Sequence, residues 1–312
     1  MKKLKKILPN LLIGAIFLIG FGIFAYPTVS DQWNKLHQSQ AIASYDDAVE
    51  DMTEEDYSSY WEAAQNYNST ITENTFTGDA FSQNLQDLEP TEYYQILNVG
   101  GSGIMGYISI PKIKQKLPIY HGTADTVLQI GVGHLSGTKL PIGGDSNHSV
   151  LAAHRGLPSA KLFSDLDKMK QGDKFYIHIL DQVLAYEVTS IDPMVDKEDT
   201  TTLESLLKVR EGEDMVTLFT CTPYGVNSHR LLVHGSRCDY HGEDDEKVAD
   251  ETMLESIQEY YMLYGLLAAA ILLLLLFIYR TLKRRKKAKA LQEPSGKEQD
   301  PRREKDEKDK VE

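Results

Sequence analysis

The chain has 312 residues, 41% of them apolar, a formal net charge of −13 and two cysteines. That length and apolar content suffice for one domain with its own core, and two cysteines exclude a disulfide-built scaffold. Seventeen of the 33 basic residues lie in the terminal stretches 2–6 and 280–312, so residues 27–279 carry 16 basic against 38 acidic side chains. That balance of −22 excludes nonspecific binding to nucleic acid or to an anionic membrane surface.

Residues 1–6 are a basic N-terminus with four lysines, followed by 20 uncharged residues from Ile7 to Tyr26. About 20 apolar residues cross a hydrocarbon core, so residues 7–26 are expected to be a membrane anchor. A cleaved signal peptide is the alternative; the run is long for one, and Phe24-Ala25-Tyr26 is a poor small-residue cleavage site. Residues 27–69 are helical in character. Ile42, Tyr45, Val49 and Met52 recur at helical spacing. Thr53-Glu54-Glu55-Asp56 has the hydroxyl and the acids of a helix start, which predicts two helices packed on the body of the domain. Periodicity is lost over 70–98, a long polar loop that contains Gly78-Asp79-Ala80-Phe81.

Residues 99–240 alternate short apolar runs with turns: Met105–Pro111, Lys116–Gly122, Thr126–Leu135, Ser149–His154, Asp173–Leu180, Val183–Ile191, Met215–Phe219 and Leu231–Val233. The fifth and sixth are joined by a hairpin at Asp181-Gln182. Helices are expected over Ser159–Met169, with Leu162, Phe163, Leu166 and Met169 on one face, and near Thr202–Leu207. About eight short strands with few helices indicate a mainly β fold, a barrel or a sandwich. An acidic linker (241–259) leads to a second uncharged run (260–279), then to a basic, charged tail (280–312) that is low in apolar residues. Basic clusters beyond both runs predict two transmembrane helices with both termini cytoplasmic and the central domain outside.

Within this domain Cys221 ends one strand and Arg230 begins the next, across a loop rich in Pro, Gly, Asn and Ser. Pairing of the two strands brings thiol and guanidinium to one end of the sheet. Only a thiolate is a good nucleophile, and a permanent positive charge beside it favours that form; the guanidinium fork can also hold an oxyanion. The competing readings are a buried structural cysteine or a disulfide with Cys238. His154 lies where an apolar strand stops at a His-Arg-Gly turn, a position that suits a structural histidine as well as a proton carrier. His121, His134, His148 and His154 have spacings that fit no compact ligand set, so no metal is expected. Gly100–Gly103 lacks the Lys-Ser/Thr ending of a phosphate loop, and no cofactor is expected.

The run TLFTCTPYGVNSHRLLVHGSR resembles the active-site strand pair of the sortases, cysteine transpeptidases of Gram-positive cell surfaces, and TCTPYGVNSHRLLV is most similar to their class C, the pilin-polymerising group. It departs from the usual class C pattern at Ser228 (commonly Thr) and His234 (commonly Arg). VLAAHRGLPSAKLFSDLDKMKQGD resembles the sortase segment that carries the catalytic histidine. The resemblance implies an eight-stranded sortase β-barrel with Cys221 as nucleophile, His154 as general acid and base and Arg230 as substrate clamp. Asp79-Ala80-Phe81 resembles the Asp-Pro-aromatic lid of class C, with Ala80 in place of Pro; by that resemblance Asp79 faces the Cys221–Arg230 pair and Phe81 covers it. The implied partners are LPxTG-like sorting signals cleaved between Thr and Gly, and a pilin lysine as acceptor, at the plasma membrane of a Gram-positive bacterium. Two alternatives remain. One is a housekeeping sortase that anchors proteins to cell-wall precursor; the other is a two-pass surface scaffold whose sortase-like domain is not catalytic.

Overall fold

In the computed structural model, which describes residues 2–73, 79–81, 92–242 and separated positions between 265 and 284, the short apolar strands close into a barrel. The strands are β1 (Ile104–Ile110), β2 (Gln115–His121), β3 (Val132–His134), β4 (Asn147–Ala152), β5 (Lys174–Ile179), β6 (Gln182–Asp196), β7 (Asp214–Thr222) and β8 (His229–Cys238). Their order around the barrel is β1-β2-β3-β4-β7-β8-β6-β5. Neighbours are antiparallel except β2/β3 and β4/β7, which are parallel. The core is filled by Ile108, Leu117, Ile119, Phe163, Phe175 and Tyr186 among others. The expected eight-stranded, mainly β domain is therefore present, and the loop over 180–181 joins β5 to β6 as a hairpin.

Three sequence-based boundaries are corrected. Thr126–Leu135, expected as one strand, divides into a helical turn, α3 (Asp125–Leu128), and the three-residue β3. Because β3 runs parallel to β2, the chain needs a crossover between them rather than a tight turn, and α3 supplies it. Ser159–Met169 is not a helix. Leu162 adopts a φ of +43°, the Phe163 N–H donates back to the His154 carbonyl at 3.2 Å, and only Leu166–Lys168 makes a 3-10 turn. Leu162, Phe163, Leu166 and Met169 are nonetheless buried. Finally, the anchor and the first helix are one element: α1 (Lys2–Glu50) is a continuous 49-residue helix. Pro27 removes one intrahelical donor without interrupting it.

Beyond its apolar run, α1 packs on the barrel through Asp31, Gln38, Ile42 and Tyr45, spaced at three, four or seven residues and all buried. The Tyr45 hydroxyl donates to the Met105 carbonyl (3.2 Å) and accepts from the Leu180 N–H (2.8 Å), joining the helix to β1 and to the β5–β6 turn. Helix α2 (Glu54–Thr70) begins at the predicted capping box. The Asp56 N–H donates to Thr53 Oγ1 (3.3 Å) and the Thr53 N–H donates to Asp56 Oδ2 (2.9 Å). Its far end is fixed by Asn68, which donates to the Leu140 carbonyl and accepts from the Leu140 N–H. Helix α4 (Thr200–Leu206) matches the helix expected near Thr202.

The chain forms two units, residues 1–253 and 254–312. In the second, the described positions between 265 and 284 are helical. Among the described residues α1 is the one helix long and apolar enough to cross a membrane. The expected linker (241–259), second membrane segment (260–279) and tail (280–312) lie mostly outside the described residues, as do Gly78 and most of the polar loop.

Candidate active site

Strand register builds the site. In the antiparallel β7–β8 pair Cys221 is directly opposite Arg230, so the two side chains leave the same face of the sheet as neighbours. Both are nearly enclosed, at 6% and 4% exposure. Parallel strands bring their C-terminal ends to the same side. With Ala152 opposite Phe219, His154 and Cys221 are each two residues further on, at one end of the barrel. The Ala153 N–H donates to the Phe219 carbonyl (3.2 Å) and the Thr220 hydroxyl donates to the Ala153 carbonyl (2.7 Å), which carries the attachment up to that point. Neither Cys221 nor Cys238 is in a disulfide.

The segment 79–81 closes over this end. Arg230 Nε donates to Asp79 Oδ1 at 2.7 Å, and its Nη2 pairs with Asp79 Oδ2. Arg230 Nη1 donates to the carbonyls of Asn227 (3.0 Å) and His229 (2.9 Å), which fixes the plane of the fork. The Phe81 ring stacks on His154 (centroids 5.4 Å apart, 26° between planes) and on Phe219 (5.9 Å, 29°), with the Arg230 guanidinium 5.3 Å from its centroid. Ala80 is fully buried in a second apolar cluster with Leu128, Leu203, Phe219 and Leu232. A larger side chain at position 80 would have to displace that cluster, and no local sequence pattern signals this burial.

Arg155 is a second group that sequence reasoning missed. Its side chain, 8% exposed, pairs with Asp167 at 2.6 Å. It also donates to the Ser164 carbonyl (3.2 Å) and to the Thr222 hydroxyl (3.1 Å). It therefore ties the turn that follows His154 to the residue that follows Cys221. Gly156 has a φ of +83°, and a Cβ there would stand 3.2 Å from the Tyr224 ring. The β7–β8 loop thus lies against the His154 turn, leaving Tyr224 and Val226 exposed.

Burial pushes the Cys221 thiol above its usual range. Arg230 pulls it down, Asp79 raises it again and Lys197 lowers it. Burial pulls His154 below the ordinary histidine value, opposed by the charge of Asp125. Burial, the largest single influence, lowers Arg230, but its hydrogen bond to Asp79 and its charge interactions with Cys221, Asp79 and Glu198 together outweigh it and raise the group. With 79–81 in place the site therefore holds a neutral thiol, a neutral imidazole and a neutralised guanidinium.

Four other histidines, His121, His134, His148 and His234, are occupied by protein partners. His134 donates through Nε2 to the Lys139 carbonyl (2.9 Å), so its Nδ1 accepts from the Tyr93 hydroxyl (2.8 Å). His148 donates through Nδ1 to the Lys208 carbonyl (2.8 Å) and meets the Thr217 hydroxyl through Nε2 (2.7 Å). His121 contacts the carbonyls of Ile96 (2.6 Å) and Gly103 (3.2 Å). His234, where the class C pattern has Arg, bonds Thr217 and Asp192. Among the described residues no three of His, Cys, Asp and Glu are placed to share a metal ion.

Residues 108–238 match the family described as sortase domain. The crystal structure of sortase C1 from Streptococcus agalactiae is 46% identical; the match covers 65% of this chain and all of that one, with a TM-score of 0.57. The chain belongs to the sortase family. The sortase C of Streptococcus pneumoniae is similar in the same way, at 44% identity over 64% of this chain and 97% of that one, with a TM-score of 0.57. Among curated relatives, sortase A of Streptococcus agalactiae is 29% identical over 51% of this chain and sortase A of Bacillus anthracis 30% identical over 42%. The matches span 61% and 59% of those two relatives. These two solved neighbours are sortases C, and another similar structure is a pilus-related sortase C of group B Streptococcus, in keeping with the strand-pair sequence.

Proposed function

We propose that this sortase is a membrane-held cysteine transpeptidase that joins pilin subunits, with Cys221, His154 and Arg230 as its catalytic residues. The observation that carries the reading is the register pairing of Cys221 with Arg230 at the barrel end where His154 leaves β4. The Cys221 sulfur attacks the carbonyl carbon of the Thr–Gly bond in an LPxTG-like sorting signal. As the sulfur attacks, the thiol proton passes to the His154 imidazole; a C–S bond forms and the C–N bond breaks, with the leaving amine taking that proton from His154. Arg230 donates to the carbonyl oxygen as it gains charge. The lysine amine of a second pilin then attacks the thioester and gives its proton to His154; the new amide forms and the thiolate leaves. The thioester retains the acylating power of the broken amide, so an amine can replace water as acceptor.

In this reading Asp79 and Phe81 are a lid. Asp79 occupies the guanidinium fork that would otherwise hold the substrate, and Phe81 covers the imidazole. The apolar part of α1 anchors the enzyme, with the barrel on the outer face of a Gram-positive plasma membrane. The test is intact mass of the chain in detergent, incubated with an LPxTG-type peptide and then with a lysine-bearing pilin. An acyl adduct that Cys221→Ala eliminates and that the lysine resolves is the expected result. Transfer to cell-wall precursor in preference to lysine would favour a housekeeping role, and no adduct in a lid-opened variant would favour a scaffold.

A further inference from the structure

The two sides of α1 differ beyond the apolar run. Toward the barrel, Asp31 accepts from the Lys161 N–H (2.7 Å), Asn34 donates to the Ser159 carbonyl (2.8 Å), and Gln38 donates to the Ile130 carbonyl (2.9 Å). Lys35, the only other charge between Tyr26 and Leu36, is paired with Asp31 at 3.1 Å. The opposite side carries Tyr26, Val29, Trp33 and Leu36 at three- and four-residue spacing, exposed by 56%, 55%, 64% and 61%. A water-facing helix side normally collects charged and polar residues; this one continues the uncharged run without interruption. On the barrel side the apolar character of α1 ends at Asp31, whereas on the outward side it extends to Leu36. A helix whose apolar length exceeds the hydrocarbon thickness on one side accommodates by tilting toward that side, and Tyr and Trp are the residues that settle at headgroup level.

We propose that the outward side of α1 from Tyr26 to Leu36 lies in the lipid–water interface, and that α1 thereby tilts and holds the barrel against the bilayer. The inference rests on the reading of α1 as a membrane anchor. Asp31 and Asn34 bind the segment 159–161 that follows the His154 turn. Asp31 is five residues past Tyr26, about 7.5 Å along a helix axis. The His154 end of the barrel therefore sits close to the headgroups, facing peptides that emerge from the same membrane. The attraction is apolar, so it does not depend on anionic lipid, in keeping with the acidic domain.

Trp33 and Trp61 are the only tryptophans, so Trp61→Phe in the full chain makes Trp33 the sole emitter. The protein is reconstituted into phosphatidylcholine vesicles, washed with carbonate and floated. Trp33 emission is then challenged with lipid brominated near the headgroup and with iodide on both sides of the membrane. The expected result is loss of most of the emission to the brominated lipid with little effect of iodide, and a reversal of that order when Val29 and Leu36 are replaced by Asp. Quenching by iodide in floated vesicles places the stripe in water and overturns the proposal. Resistance to both quenchers shows that protein covers the stripe and overturns it equally. Failure to float refutes the anchor itself, a different result from either.

Discussion

Asp79→Ala is the most informative single change, because it leaves every other part of the site in place. The carboxylate makes a two-point, charge-assisted contact with a guanidinium that is 4% exposed. Removing one member of a buried pair costs about 3–5 kcal/mol when the other charge is stranded. Here Arg230 keeps the carbonyls of Asn227 and His229 and gains water as the segment leaves. The closed state should therefore lose nearer 2–3 kcal/mol, the scale of a hydrogen bond to a charged group. At about 1.4 kcal/mol per factor of ten, that raises the open population roughly 30- to 150-fold. The assay is the rate of carbamidomethylation of Cys221 by iodoacetamide, read at the peptide level so that Cys238 is counted separately, across a range of pH. Burial and Asp79 both hold the thiol up. The variant should thus react faster at every pH and show its midpoint at lower pH, with Arg230 acting unopposed. Asp79→Asn, which keeps the shape and loses the charge, should fall between. An unchanged rate, or a midpoint that moves upward, would refute the argument that this ion pair keeps the site shut.

Phe81→Ala should raise the pKa of His154 toward the ordinary value, since burial is what depresses it; titration of its imidazole resonance is the check, and an unchanged value would assign the burial to the barrel wall. Protonation is expected to unfold the barrel through His134 and His148, whose pKa values are lowered to about 3 and about 4 by burial. In the unfolded chain both titrate near ~6.5. Between that value and the folded ones the unfolded state binds more protons, so their contribution is complete above pH 6.5 and is lost as pH falls through 4. The loss is on the order of 3 kcal/mol each, and urea midpoints measured from pH 7 down to 4 should fall accordingly. Gly133→Ala should be severely destabilising, because a Cβ there would stand 2.3 Å from the carbonyl oxygen of Gly122, the residue just past the paired strand β2. Backbone cannot retreat as a side chain can, so the cost should reach at least the ~1–3 kcal/mol typical of overpacking, read as a lowered thermal midpoint.

The strand pair around Cys221 was legible because its signals are local: two β-prone runs, a turn-rich loop, and a thiol and a guanidinium at the ends. The capping box at Thr53 was legible for the same reason. Asp79 and Phe81 were singled out by resemblance alone, since no local rule reports that a residue will meet a guanidinium 151 positions away. The Arg155 clamp joins three segments and has no periodic signature. Leu162, Phe163, Leu166 and Met169 read as a helical face because burial at such spacing looks the same whether a helix or a folded-back loop produces it; the φ of Leu162 decides, and sequence does not display it. The unbroken α1 was hidden because the uncharged run to Tyr26 and the amphipathic stretch after it carry different patterns and read as separate elements.

The ladder between β7 and β8 runs without a slip from Met215 opposite Ser236 to Thr222 opposite His229. The six consecutive pairs below them, from Met215/Ser236 to Thr220/Leu231, thus dictate where Cys221 and Arg230 stand, and the six residues that connect the strands do not. Those residues close on themselves, with the N–H groups of Val226 and Asn227 both reaching the Pro223 carbonyl at 3.0 Å. The connection touches the site at two points: the Asn227 carbonyl holds the guanidinium, and Tyr224 lies against the turn at Gly156. Substitutions confined to its exposed Val226 therefore alter what the rim presents without touching the ladder that sets thiol against guanidinium.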